Sequence, residues 1–338
     1  MLLEGIFLPL TTPFHADGRL FLSKLEYNVE RYSRTPAAGL LVLGSAGEPD
    51  ALTHDEARAV LNSAAQAAAD EKVLIASVAR ESVFATLQLA ETATSAGYDA
   101  VAVRGPAFTE DSSLAIELMT YFRAVADASA LPVVLLSEPG RLLSVETVGE
   151  LAQHPNILGI LNAEATANWI ASVKTATAGV TREVTVTSVF AAATRRMLRV
   201  PVTSLANLGG VAVLDARPTL RTRMKRVGFQ ILTGSTATML EAWQAGANGA
   251  VPRLGPCAPQ ACCEVWQAFR DGDLPLAEEK QHRVRAVAPL VEGLAGIGAT
   301  KHGCDFNGYF GGRPRLPLLG LTAAQAADLE RDLAGMRN

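Results

Sequence analysis

The sequence predicts a (β/α)8 TIM barrel of the α/β class, with additional C-terminal helices and an insertion between strands six and seven. Three observations lead there. Eight short apolar runs recur along the chain, separated by longer stretches with helical spacing. The runs are apolar throughout rather than alternating, as expected of a parallel sheet covered on its outer face. A length of 338 residues suits one large barrel with a substantial core.

The predicted strands are 5–10, 39–43, 73–78, 100–103, 132–136, 157–161, 229–233 and 249–251. Helix starts are legible between them. Ser23-Lys24-Leu25-Glu26 and Thr53-His54-Asp55-Glu56 both fit a capping box, in which the first side chain and the fourth satisfy each other's backbone N–H. Asp70 to Lys72 separates an alanine-rich helix from the third strand, and Gly97-Tyr98-Asp99 does the same before the fourth. From about 258 onward the pattern is helical, and Thr322-Ala323-Ala324-Gln325 caps the last helix. The expected organisation is a barrel over 1–255 and a helical region over 256–338.

One stretch exceeds the βα rhythm. Leu161 to Thr233 spans 73 positions, where one helix and its loops need roughly 25–35. The excess lies at about 179–226. It holds strand-like Glu183-Val184-Thr185-Val186-Thr187 and Gly210-Val211-Ala212-Val213-Leu214, with Arg182, Arg195, Arg196, Arg199, Arg217, Arg221, Arg223 and Arg226. Two readings stand: a solvated elaboration of one βα unit, or a lid or subunit contact over the barrel mouth.

Composition excludes several function classes. The net charge of −4 and pI of about 5.8 argue against nucleic acid and anionic membrane as partners. No apolar run reaches the roughly 18 residues of a spanning helix. Met1-Leu2-Leu3-Glu4-Gly5-Ile6 has no basic segment before an apolar stretch, so no signal peptide is expected. Cys257, Cys262, Cys263 and Cys304 are too sparse for a disulfide scaffold, which implies a reduced, cytoplasmic protein. The histidines His15, His54, His154, His282 and His302 are scattered, His302-Gly303-Cys304-Asp305 reads as a chance cluster, and no metal is expected. Glycine-rich 293–298 lacks the context of a nucleotide loop. No cofactor is expected.

The motifs at the strand ends resemble the dihydrodipicolinate synthase and N-acetylneuraminate lyase family. The likeness rests on Gly5-Ile6-Phe7-Leu8-Pro9-Leu10-Thr11-Thr12-Pro13-Phe14 with Asp17-Gly18, on Gly44-Ser45-Ala46-Gly47-Glu48-Pro49, on Pro139 and Arg141 after strand five, on Gly105-Pro106-Ala107-Phe108, on Thr233-Gly234-Ser235 and on Asp271-Gly272-Asp273-Leu274. It implies a pyruvate-dependent lyase of the class I aldolase type. It also implies a homodimer or homotetramer, and a small keto acid such as pyruvate, or another carboxylate, as ligand. Ser45, Ala46, Arg141 and Gly234 fall at positions that the family uses to bind substrate. Ser45 keeps the hydroxyl of the family's first threonine, and Ala46 keeps only the backbone N–H of the second.

The same comparison shows what this chain lacks. Asn156 to Thr166 matches the strand that carries the family's Schiff-base lysine, and Leu161 stands at that lysine. Leu136 and Phe108 stand at the two tyrosines of its proton relay. A leucine has no lone pair with which to attack a keto group, so no catalytic residue is assigned. Of the other lysines, Lys174, Lys225 and Lys301 read as solvated surface groups. Glu48 reads as support for the loop before it. Glu138 reads as solvated or as an acid–base group, and Arg141 as a carboxylate ligand or a structural ion pair. Three functions remain open: the family reaction, a carboxylate-binding protein without catalysis, and an enzyme with lysine-independent chemistry.

Overall fold

The computed structural model describes residues 1–109, 115–198, 220–293 and 296–336. Eight parallel strands close a barrel: β1 (Gly5–Pro9), β2 (Gly39–Val42), β3 (Val73–Ser77), β4 (Ala100–Arg104), β5 (Val133–Ser137), β6 (Ile157–Asn162), β9 (Gln230–Thr233) and β10 (Gly249–Ala250). β10 pairs with β1 to complete the ring. Each strand falls within two residues of its sequence-derived position, because a run of buried apolar residues between breakers leaves little freedom. The helices around the ring are α1 (Leu22–Ser33), α2 (His54–Ala67), α3 (Val83–Ala96), α4 (Ala115–Ala128), α5 (Val145–Leu151), α6 (Ala167–Ala176) and α8 (Met239–Gln244). Beyond them lie α9 (Pro259–Arg270), α10 (Leu274–Glu292), α11 (Gly296–Phe306) and α12 (Ala323–Leu333). No helix among the described residues is long and apolar enough to cross a membrane.

Of the three sequence-derived helix caps, two form, both as capping boxes. Thr53 and Glu56 exchange bonds at the start of α2, as do Thr322 and Gln325 at the start of α12. A cap of this kind contributes about 1 kcal/mol. Ser23 does not cap α1, which begins one residue earlier behind Phe21. There the Phe21 ring stacks on His15 at 3.9 Å, and Glu26 instead accepts a hydrogen bond from Ser63 Oγ at 2.9 Å. Tertiary packing overrides the local motif.

Two apolar clusters follow from the barrel geometry. One lies between strands and helices. The other fills the barrel and includes Phe7, Leu41, Ile75, Ala102, Leu136, Leu158, Leu161 and Leu232. The spacing from Leu158 to Leu161 is odd, which regular alternation forbids for one face. A register shift between β5 and β6 accounts for it: Val133 pairs with Ile157, but Val134 pairs with Gly159. This bulge turns Leu161 inward. Gly159 permits it, since a Cβ there would stand 2.3 Å from Gln230 O.

The inserted segment builds an antiparallel pair, β7 (Arg182–Thr187) and β8 (Thr222–Val227), followed in space by a short turn, α7 (Arg195–Leu198). It covers the end of the barrel opposite the mouth. Val184 and Val186 enter the interior cluster beside Leu2, Leu3 and Phe7. Thr194 Oγ1 donates to Asp70 O (2.5 Å), Arg196 donates to Ala69 O and Lys72 O, and the Arg195 N–H donates to Asp99. Arg182 donates to Ala152 O and His154 O, and Lys225 pairs with Glu4 at 3.0 Å. All these partners precede strands, at their N-terminal ends. The reading of the described part as a lid over the mouth is therefore corrected: it is a base plate. Strand-like 210–214, with Arg199 and Arg217, lies outside the described residues.

Candidate functional site

At the C-terminal end of the barrel a cavity of about 130 Å3 opens among the loops. Leu161, Leu41 and Val251 form its apolar floor, and Ser45, Ala46, Glu138, Ala163, Gly234, Arg253 and Thr300 line its sides. A second cavity of about 510 Å3 adjoins it, sharing Ala163, Gly234 and Arg253. Among the described residues, neither lining includes a lysine or a tyrosine.

Ser45 and Ala46 open a 3-10 turn, Ser45–Gly47, after β2. The first internal bond runs from Gly47 N–H to Gly44 O at 2.8 Å. The two N–H groups before it have no acceptor within the turn, which is how helical N-termini hold anions. Thr12 Oγ1 donates to Gly47 O at 2.7 Å and fixes the turn against β1. Gly234 follows β9, where a Cβ would lie 2.8 Å from Ala163 Cα. Only glycine lets the two loops approach this closely.

Glu138 leaves β5 at a tight turn closed by Arg141 N–H to Glu138 O, 2.8 Å, with Gly140 at φ 80°. Burial pushes the Glu138 carboxyl above the usual glutamate range, opposed by the charges of Arg104, Arg253 and Arg141. Arg104, on β4, is held by Asp50 at 2.5 Å. Arg253, in the loop after β10, reaches Glu292 O with Nη1 at 3.4 Å and lines both cavities. Among the described residues, the lining of the smaller cavity thus combines an apolar floor, the turn that begins at Ser45 and Ala46, the Arg253 guanidinium and the Glu138 carboxyl.

The structure brings Ser45, Ala46, Gly234 and Leu161 together at this cavity. Arg141 is not among its lining residues, although its charge acts on Glu138. Leu136 pairs in register with Leu161 and packs in the barrel interior. Phe108 stands 58% exposed in the loop after β4, away from the lining. Arg253 is the residue that the sequence did not single out. Its position three residues after a two-residue strand is a weak signal by itself.

The lysines need one correction. Lys174 is exposed and Lys225 is tied to Glu4, but Lys301 is fully buried rather than solvated. Its ammonium meets Glu48 Oε1 at 2.5 Å, and desolvation pulls its pKa down while Glu48 pushes it up. Lys301 sits on α11 and is not part of the cavity wall. His302 pairs with Glu330 at 2.7 Å, and all four cysteines are buried free thiols.

Comparison with known proteins agrees with this architecture. Residues 2–200 match the model of the dihydrodipicolinate synthetase family. The 4-hydroxy-tetrahydrodipicolinate synthase of Acidiphilium cryptum is 28% identical over 336 residues, covering 98% of each chain. The L-threo-3-deoxy-hexylosonate aldolase of Hypocrea jecorina is 27% identical, covering 97% of this chain and 94% of the other. Among solved structures, a prophage protein of the dihydrodipicolinic acid synthase family from E. coli K12, in complex with pyruvate, superposes with a TM-score of 0.80 at 22% identity and covers 99% of both chains. With its barrel, its strand-end motifs and these relatives, the chain belongs to the dihydrodipicolinate synthetase family.

Proposed function

We propose that this family member binds a small carboxylate of the pyruvate class at the barrel mouth and does not form an imine with it. Leu161 carries the reading: its isobutyl group occupies the cavity floor where the resemblance puts an amine, and a hydrocarbon is no nucleophile. The Ser45 and Ala46 N–H groups and the Arg253 guanidinium supply the donors a carboxylate needs. The pyruvate held by the E. coli relative supports the choice of ligand class. A cytoplasmic location and a homodimer or homotetramer belong to the same reading.

A thermal-shift panel of small keto acids, followed by calorimetric titration and by borohydride treatment with pyruvate, tests it. Stabilisation without turnover and without a covalent adduct is the expected result, because a ligand that binds only the native state must raise its stability. A reduced adduct on any lysine, or no stabilisation by any acid, refutes it.

One observation favours a second reading, lysine-independent catalysis. Glu138 lines the cavity, and its carboxyl is held above the usual range by burial. A carboxyl raised by burial beside a ligand cavity is the kind of group that can take up or release a proton there. Exchange of pyruvate methyl protons in heavy water, lost in Glu138→Gln, would support this reading, and no exchange above the background of buffer alone would end it.

A further inference from the structure

Glu48 and Lys301 form an ion pair sealed between two walls of the cavity. Their side chains are 1% and 0% exposed. The second Glu48 oxygen accepts from Arg315 N–H at 2.8 Å. Lys301 Nζ also donates to Arg313 O at 3.1 Å and lies 4.4 Å from the centre of the Phe14 ring. Neither Glu48 nor Lys301 lines the cavity, yet Thr300 beside Lys301 and Ala46 two residues before Glu48 both do. The pair therefore ties α11 to the donor turn.

Glu48 also has an unusual backbone, with φ 53° and ψ 48°. A residue with a Cβ in the left-handed region persists there only where its surroundings hold it. A buried carboxylate without its cation must reach water or take up a proton. A rotation of the 45–48 segment that carried Glu48 to water would also swing the turn's N–H groups, since Glu48 closes the Ser45–Gly47 turn.

We propose that Lys301 is a positioning residue, whose ammonium pins Glu48 and thereby aims the Ser45 and Ala46 N–H groups at a carboxylate in the cavity. This rests on the carboxylate site proposed above. The rival role is simple adhesion between α11 and the barrel, which would change stability and leave binding alone.

The experiment is calorimetric titration of pyruvate into the full chain and its variants, each well below its melting temperature, with amide spectra of Ser45 and Ala46. K301M is expected to bind about tenfold more weakly, with both amide signals moved before ligand is added. The double variant E48Q/K301M buries no charge and keeps an acceptor for the Arg315 N–H, so it should regain most of the affinity. Where K301M does not fold, K301R decides: the longer, planar cation displaces Glu48, and affinity should fall at least about threefold. A K301M or K301R protein that melts lower but binds pyruvate as the unmodified chain does overturns the positioning role alone. An unmodified chain that binds no pyruvate overturns the carboxylate site, and this role with it.

Discussion

Leu161→Lys places an amine at the cavity floor and is the sharpest test of why this barrel should form no imine. Leu161 is 8% exposed, in register with Leu136 and Leu232. Removing a buried leucine forfeits about 1.5–3 kcal/mol of burial. The lysine stem recovers part of this by lying along the same apolar floor. Its ammonium would enter the cavity of about 130 Å3, which Glu138 also lines. The net cost is about 1–3 kcal/mol, a fall in melting temperature of about 1–4 °C. The low-dielectric floor favours the neutral amine, which is the nucleophile. Leu136 and Phe108 offer no hydroxyl for the proton transfers, and loss of such a relay costs about 100- to 10,000-fold in rate. The adduct should therefore form slowly. Incubation with pyruvate and borohydride, read by intact mass and peptide mapping, should show one carboxyethyl group at position 161 in L161K and none in the unmodified chain. Adding Leu136→Tyr should speed it. Equal labelling of the unmodified chain, or a label mapping to Lys301, would refute the reasoning.

Other perturbations bear on the same site. Arg253→Met removes a charge-assisted donor and should weaken pyruvate binding about 10- to 100-fold with little change in melting temperature, as calorimetry and thermal melts would show. The raised pKa of Glu138 means that the native state holds its proton more tightly than the unfolded chain. Stability should therefore decline as pH rises from the ordinary glutamate range through the raised value, and Glu138→Gln should abolish that decline in melts between acidic and neutral pH. Glu56 behaves oppositely: the Arg315 hydrogen bonds hold its carboxyl down at about 2. Its stabilisation is complete above the ordinary glutamate value and is lost as pH falls toward about 2, and Arg315→Met should flatten that acid limb. Val186→Asp buries a charge in the base plate; it should lower stability by about 3 kcal/mol in denaturant melts while leaving pyruvate affinity unchanged.

The strand ends show how far local pattern reaches. Leu161, Ser45, Ala46 and Gly234 were legible through the family resemblance of the strand-end motifs that carry them, and barrel sites gather where strands end. Lys301 was misread because its helix is only mildly amphipathic, and nothing nearby in the chain announces the carboxylate that neutralises it. Glu48 is 253 residues away. Arg253 was missed for another reason: it follows a strand of two residues, Gly249–Ala250, too short to advertise the loop behind it.

Apolar periodicity and breakers located the eight strands and pointed to the class of fold, since burying each run leaves one economical arrangement. The strand-six motif also put carbon, at Leu161, where the family resemblance places an amine. Which way that carbon points was decided in three dimensions, by a bulge that Gly159 permits through its contact with Gln230 O. So were the pairing of Glu48 with Lys301 and the seating of β7 and β8 under the barrel. Both join groups that are distant in the chain, and such contacts depend on the packed positions of whole elements rather than on neighbours in sequence.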